Sequence, residues 1–133
     1  MSEHYYALVW IDHHEARVYH FNAADFERST VHSTDPHLHL HHKANTIGSG
    51  HASVDRGFLE RVAQAVAQSG AILITGPANA KNEFAAYLGQ HHADVAQRVS
   101  GVESLDHPSD GELVALGRRY FKADDRMHWQ ARG

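Results

Sequence analysis

The chain has 133 residues, 42% of them hydrophobic and 21% charged, which is enough apolar material for one globular domain with its own core. It contains no cysteine, so disulfides and thiolate metal sites are excluded, and its formal net charge of −4 argues against bulk electrostatic attraction to nucleic acid. The N-terminal residues hold neither a basic stretch nor a long apolar run. We therefore expect a cytoplasmic protein with no membrane and no DNA partner.

The first third of the sequence predicts three strands joined by short turns. Tyr5–Asp12 is almost continuously apolar, as in a strand buried on both faces of a sheet. Ala16–Phe21 alternates in character after a short polar connection, so the two segments predict a hairpin. Phe26–Thr34 predicts a third strand. His37–His42 predicts either its continuation past Pro36 or a separately paired edge strand.

The remaining sequence alternates between helical and strand patterns. In order, it predicts a helix from an Asp55 N-cap to Gln68, a strand at Ala71–Thr75, a helix capped by Asn79, a strand at Arg98–Ser104 and a final helix capped by Ser109. The order β-β-β-α-β-α-β-α is that of the ribonuclease H-like fold, an α/β fold with a mixed five-stranded sheet covered by helices. We expect a single domain over residues 1–123 and a flexible C-terminal tail over residues 124–133.

Fourteen histidines make the sequence unusually rich in imidazole, and three of them alternate with leucines at His37, His39 and His41. In an extended segment these three side chains lie on one face, a geometry that suits zinc or nickel, and His51 is a candidate fourth ligand. The alternative is an exposed, solvated edge strand without a metal.

A nuclease site is a further interpretation of the same strand order, because ribonuclease H-like nucleases hold two magnesium ions between carboxylates. Asp12 ends the first strand and Glu60 lies on the first helix, but the fourth strand ends in Thr75 and Gly76, without an acid. The set is incomplete, so we expect no nuclease activity and interpret Asp12 as a turn residue.

Four basic residues are candidate RNA contacts: Arg56 after the glycine-bearing loop, Lys81 at the start of a helix, and Arg118 and Arg119 on the last helix. Lys81 follows a strand–turn–helix connection whose free N–H groups favour an anion. The alternatives are that Asn79 is a plain N-cap there and that the arginines form a solvated helix face.

The segment AILITGPANAKNEFAAYL, residues 71–88, resembles the middle domain of class-one eukaryotic and archaeal peptide-chain release factors and of Pelota. The matching positions are a buried strand, a small-residue turn and a helix that opens with Lys, Glu and Phe: Ile72, Leu73, Ile74, Gly76, Lys81, Glu83 and Phe84. The preceding strands, polar glycine-bearing loop and helix fit the same pattern over residues 5–121. The whole chain is also similar to a small bacterial family of translational machinery proteins.

The resemblance implies a ribonuclease H-like fold and a loop that contacts the ribosome. In release factors this loop carries the GGQ tripeptide, which enters the peptidyl-transferase centre. Here His51 stands where the glutamine would be, so peptide release is not implied and the loop looks more like that of Pelota. We expect a non-catalytic, translation-associated protein that binds the ribosome or ribosomal RNA through residues 37–53. The residues expected to make this contact are Lys43, Asn45, Gly48, Ser49, Gly50 and His51. The alternative is a histidine-rich module that binds a divalent metal or responds to pH.

Overall fold

A computed structural model describes residues 5–22, 24–33 and 55–132 of the chain, with side chains described as far as residue 122. Its five strands are β1 (Tyr6–Ile11), β2 (Glu15–Phe21), β3 (Phe26–His32), β4 (Ala71–Gly76) and β5 (Val99–Ser104). Its helices are α1 (Arg56–Val66), α2 (Ala80–His91), α3 (Ala93–Ala96) and α4 (Asp110–Arg132).

The strands form one mixed sheet in the order β3-β2-β1-β4-β5. β1, β2 and β3 pair antiparallel, whereas β4 pairs parallel to β1 and β5 parallel to β4. The predicted mixed five-stranded α/β sheet is therefore confirmed. β1 lies at its centre because it is apolar at nearly every position, which only a strand covered on both faces can accommodate.

One face of the sheet is aliphatic and is covered by α1 and α2. Alternate residues of the central strands point to this face and are fully buried, among them Val9, Val18 and Ile74. The helices contribute Phe58 and Val62 from α1, and α2 contributes Phe84 and Leu88. This larger of the two cores fixes α1 and α2 side by side.

The other face is aromatic and, among the described elements, α4 is the one that covers it. Trp10, Tyr19 and Phe21 point to it from β1 and β2, and they pack with Leu113 and Phe121 from the helix. α4 comes so close to the sheet that a Cβ atom at Gly117 would lie 2.8 Å from Phe21 Cζ. The space that a side chain would take at this helix position is thus filled by the Phe21 ring.

Two features of the helices differ from the sequence prediction. The short helix α3 follows α2 directly and was not expected, because its four residues are too few to show a helical period. α4 continues to Arg132, so the stretch predicted as a flexible tail is helical; its flexibility stays a prediction.

The predicted helix caps are confirmed at two of three positions. Asp55 accepts a hydrogen bond from Gly57 N at 3.2 Å, and Ser109 forms a reciprocal pair with Glu112. Asn79 occupies the N-cap position of α2, but its side chain makes no bond to the helix backbone. Its oxygen instead accepts from the Asn82 side chain at 2.9 Å, so a nearby amide replaces the expected backbone donor.

Candidate functional site: the carboxyl edge of the sheet

Four of the five strands end at one edge of the sheet, because β3, β4 and β5 all run in the direction of β1. In open α/β sheets this carboxyl edge is where ligands bind, since the connections that follow the strands converge there. Residues 34–54 also leave β3 at this edge. The carboxyl edge is therefore the candidate site, and its described parts are the three connections that follow β1, β4 and β5.

The connection after β1 is a tight turn held by Asp12. Its Oδ1 accepts from the backbone N–H of His14 at 2.8 Å and of Glu15 at 2.9 Å. This places the His13 ring near α2, with Nε2 4.0 Å from Glu83 Oε2. The predicted turn role of Asp12 is thus confirmed, and the carboxylate is occupied by local backbone donors.

The connection after β4 is packed against β1. A Cβ atom at Gly76 would overlap the Ile11 carbonyl oxygen, and the Thr75 hydroxyl donates to Val9 O at 2.8 Å. Lys81 follows in the first turn of α2, where it is 7% exposed and its ammonium donates to the Ala78 carbonyl. The lysine charge is therefore used within the connection and is turned away from solvent.

The connection after β5 joins the carboxyl edge to the start of α4. The Trp10 indole N–H donates to Asp106 O at 2.7 Å, and the His107 ring lies 5.1 Å from the Trp10 ring. Tyr19 then donates to Asp110 at 2.6 Å, and Arg28 donates to the other oxygen of the same carboxylate at 2.7 Å. These bonds fix the beginning of α4 over β1, β2 and β3.

The Tyr19–Asp110 bond changes the titration of both groups. Burial, reinforced by the bond to Asp110, raises the pKa of Tyr19 to about 12. The same hydrogen bond, assisted by Arg28, lowers the pKa of Asp110. Tyr19 is therefore a neutral donor and Asp110 an ionised acceptor at physiological pH, which suits a structural link between sheet and helix.

The residues predicted for loop contact and metal binding lie outside the described residues. They are Lys43, Asn45, Gly48, Ser49, Gly50 and His51 for the contact and His37, His39, His41 and His51 for the metal, and both sets stay predictions. The two ends of that segment are described. Ser33 N donates to His14 O at 2.9 Å, and Arg61 Nη2 donates to His32 O at 2.6 Å.

The four predicted RNA-contact residues do not share one surface. Arg56 is exposed at the start of α1, while Lys81 is buried as described above. Arg118 donates to the Asn22 carbonyl at 3.3 Å, in the turn between β2 and β3, at the opposite edge of the sheet from the carboxyl edge. Arg119 is exposed on the same helix. Arg118 and Arg119 on α4 thus lie on a different surface of the fold from Arg56 at the start of α1.

Glu60 is the centre of a polar network that sequence reasoning missed. Its Oε1 accepts from the Tyr87 hydroxyl at 2.5 Å and from His92 Nε2 at 2.8 Å, and its Oε2 accepts from Gln64 at 2.7 Å. Since a carboxylate only accepts, His92 Nε2 must carry a hydrogen. The bonds from His92, Tyr87 and Gln64, in that order, lower the pKa of Glu60 to about 2.

A second contact extends this network to Arg56, at the start of α1. Arg56 Nη2 donates to His91 Nε2 at 3.2 Å, and the His91 ring lies 4.5 Å from the Tyr87 ring. The network therefore ties α1 to the end of α2. No sequence signal indicates it, because Glu60 is 27 residues from Tyr87 and 32 from His92.

A preformed metal site is absent from residues 5–22, 24–33 and 55–122. No three His, Cys, Asp or Glu side chains in these ranges are placed to hold an ion. The two carboxylates considered for a nuclease have other partners, Asp12 in its turn and Glu60 in the network. Within the described part of the chain, no helix is both long enough and apolar enough to span a membrane.

The architecture is that of a domain found within larger archaeal proteins. The chain superimposes on Pelota from Archaeoglobus fulgidus with a TM-score of 0.65 and 13% identity, over 96% of this chain and 36% of that one. Pelota from Thermoplasma acidophilum gives a TM-score of 0.55 and 22% identity, over 84% of this chain and 32% of that one.

The archaeal translation termination factor aRF1 has the same fold, with a TM-score of 0.54, 14% identity and coverage of 95% of this chain and 39% of that one. The chain therefore spans between 32% and 39% of the length of these proteins. No protein-family model and no curated protein matches the sequence. At these identities the likeness establishes that the chain shares its fold with part of Pelota and aRF1.

Proposed function

We propose that this chain is a non-catalytic, translation-associated protein that binds the ribosome through residues 37–53. The observation that carries the proposal is the fold, which over 95% of the chain is shared with a translation termination factor. Residues 34–54 join β3 to α1, the place where the resemblance expects the ribosome-contacting loop of release factors. Because the tripeptide is absent from this segment, the proposed role is contact without peptide release.

Arg56 is the described residue best placed to assist such a contact. It is exposed, it directly follows the segment, and a guanidinium binds phosphate through several N–H groups. Arg119 is also exposed, but it lies on α4, on the opposite face of the sheet from α1. The two arginines therefore form a matched pair for mutation, one beside the proposed contact and one remote from it.

Ribosome co-sedimentation through sucrose tests the proposal with the untagged full chain. We expect the protein to travel with ribosomes at low salt and to be released as salt rises, because phosphate contacts are salt-dependent. Removing residues 45–53 should abolish the association, Arg56→Ala should weaken it, and Arg119→Ala should leave it unchanged. Protein that stays at the top of the gradient at low salt would contradict ribosome binding. Retention by the deletion variant would contradict the role of the segment.

A histidine-rich metal or pH-responsive module is the second candidate. It is favoured by the position of His13, His14, His32 and His107, which belong to the ends of strands or the connections at the carboxyl edge. Residues 34–54, which follow β3 in the sequence, contain five more histidines. Calorimetric titration with zinc or nickel at pH 7 tests the metal, with His37→Ala/His39→Ala/His41→Ala as the variant. Sedimentation at pH 7 and pH 5.5 tests the pH response, and no uptake together with unchanged sedimentation would exclude this function.

A further inference from the structure

The two outer strands of the sheet are treated differently by the fold. β5 is irregular, with a register shift opposite Ile72 and Leu73, and the Tyr120 hydroxyl donates to its Ser100 carbonyl at 2.9 Å. Such irregularity and cover are common means of protecting a sheet edge. β3 keeps a regular register with β2 along all seven residues, six of them are exposed, and it contains no proline or lysine. Among the described residues, the side chain that contacts its outer backbone is Arg61, at the last residue of the strand, His32. Within the described part of the chain, β3 is thus the more open of the two edges.

The direction of the β3 backbone groups follows from two hydrogen bonds at its ends. Asn22 N donates to Asp25 O, and Ser33 N donates to His14 O, so odd-numbered residues of β3 face β2. The N–H and C=O groups of the even-numbered residues Phe26, Arg28, Thr30 and His32 therefore point outward. Among the described residues, the partner found for these groups is Arg61, whose Nη2 holds the His32 carbonyl at 2.6 Å.

We propose that β3 pairs antiparallel with β3 of a second copy of this chain, about a two-fold axis at Ser29. In this register Arg28 lies opposite Thr30 of the second copy, and Phe26 lies opposite its His32. All four are outward-facing residues, so each pair can exchange two ladder hydrogen bonds, with the His32 carbonyl accepting from Phe26 of the second copy as well as from its own Arg61. The result is a continuous ten-stranded sheet, with both α1 helices on one face and both α4 helices on the other. This inference is independent of ribosome binding.

Charge and the number of paired residues select this register over its neighbours. Outward-facing residues pair only when the register moves by an even number of positions, so the nearest alternatives are centred on Arg28 or on Thr30. The first places Arg28 opposite its own copy, and two arginines directly opposite are destabilising. The second pairs Arg28, Thr30 and His32 but leaves Phe26 without a partner in β3 of the second copy. The Ser29-centred register pairs all four outward-facing residues and places Arg28 opposite a neutral threonine.

Side chains on the two faces complement one another in the same register. On the α1 face, Glu27 lies opposite Val31 of the second copy, one residue from the His32 carbonyl that its Arg61 holds. The symmetric arrangement therefore offers two pairs between Glu27 and Arg61. On the α4 face, Phe26, 43% exposed in the single chain, gains an aromatic neighbour in the His32 ring. An isologous contact of this kind is closed and does not propagate into fibres.

The oligomeric state gives the first test. Light scattering coupled to size exclusion should give a mass twice the 14.8 kDa of one chain, falling toward one chain on dilution. A mass of one chain at every concentration would overturn the proposal. It would mean that the edge is held by another part of the same chain or is left to a different partner.

Proline substitution tests which edge is used. Thr30→Pro removes an outward N–H, a change that an edge strand tolerates when that N–H faces solvent. It should raise the dimer dissociation constant by about tenfold or more, because two symmetric ladder bonds are lost. Val102→Pro, at an outward position of β5, is the matched control and should leave the dimer intact. The opposite ranking would overturn the assignment to β3, and circular dichroism verifies that both variants are folded.

A single cysteine tests the register. The chain has no cysteine, and Ser29 would face its own copy in a non-hydrogen-bonded pair, where Cα atoms are about 4.5 Å apart. This spacing permits a disulfide. Ser29→Cys should cross-link into a dimer under mild oxidation, whereas Ser104→Cys on β5 should not.

Exchanging the charges of Glu27 and Arg61 gives a second test of the register. Glu27→Arg should weaken the dimer, and adding Arg61→Glu should restore it. Failure of both cross-linking and restoration would overturn the register.

Discussion

The two faces of the sheet are buried by different kinds of side chain and held by different polar contacts. Under α1 and α2 the core is mainly aliphatic, and the polar Glu60 network links the two helices at their outer surface. Under α4 the core is mainly aromatic, and the polar bonds of Asp110 link the helix directly to the sheet. One helix can cover a face alone when large rings fill the space and the helix comes close. On the other face, α1 and α2 each cover part of the sheet, and the Glu60 network holds the two helices together.

Removing one ring from each face should give the largest effects. Phe84→Ala on the α2 side and Phe121→Ala on the α4 side should each lower the free energy of unfolding by about 3–5 kcal/mol, because both side chains are buried. Urea denaturation measures the loss. Hydrogen exchange should show α4 opening more readily in Phe121→Ala, since the described packing contacts of that helix are with the sheet. Equal exchange in α4 for the two variants would contradict the claim that α4 is held independently.

Filling the close approach of α4 should give the next largest effect. Gly117→Ala places a methyl group 2.8 Å from Phe21 and 3.3 Å from Leu8, so neighbouring atoms must shift. We expect a loss of about 1–3 kcal/mol from overpacking. The matched control is Gly89→Ala in α2, where a Cβ atom would meet no atom of the described residues within 4 Å beyond its own helix backbone and chain neighbours. That change should stabilise the protein by up to about 1 kcal/mol through helix propensity, and thermal denaturation distinguishes the two signs.

The bond between sheet and α4 can be removed without changing the core. Tyr19→Phe deletes the hydroxyl that donates to Asp110 at 2.6 Å and should cost about 1–3 kcal/mol, the range for a hydrogen bond to a charged group. Arg28→Ala removes the other donor, but this pair is exposed on both sides and should contribute no more than about 1 kcal/mol. Urea denaturation of both variants orders the two donors; a larger loss for Arg28→Ala would contradict the ranking.

The Glu60 network should give the smallest effect at neutral pH but a clear pH dependence. The pKa of Glu60 in the folded protein, about 2, lies below the value of an unfolded chain, about 4.3. Its stabilisation is therefore complete above about pH 5 and is lost as the pH falls toward 2. Glu60→Gln should lower stability at pH 6, and its difference from the native protein should shrink as the pH is lowered. Tyr87→Phe retains the bond from His92 to Glu60 and should preserve part of this pH dependence. A stability difference between Glu60→Gln and the native protein that is constant with pH would contradict the low pKa of Glu60.

Local patterns predicted the scaffold because they are set by neighbours in the sequence. The apolar runs of β1 and β4, the Asp12 turn and the Asp55 and Ser109 caps all depend on residues within a few positions. The helix α3 is too short to give such a pattern. The Asn79 side chain accepts from the Asn82 amide instead of a backbone N–H, and the sequence does not distinguish these two nearby donors.

The candidate site was less predictable because its contacts join distant residues. The bond from Trp10 to Asp106 crosses 96 positions, and the Glu60 network joins α1 to the end of α2, 32 positions away. The burial of Lys81 follows from which side of α2 faces the sheet, a choice that helix spacing alone left open. The separation of Arg118 from Arg56 likewise depends on α4 lying on the opposite face from α1. The segment that the sequence singled out lies outside the described residues, so its predicted role is still a prediction.

The central position of β1 has a consequence for synthesis of the chain. β1 pairs with β2 on one side and with β4, made some sixty residues later, on the other. While the chain is being made, the first three strands can pair with one another, but one edge of the apolar β1 and both of its faces have no cover until α1, β4 and α4 emerge. Exposed apolar edges promote association between incomplete chains. We therefore expect fragments that end before Ala71 to aggregate, and the whole domain to become soluble only after α4 closes the aromatic face.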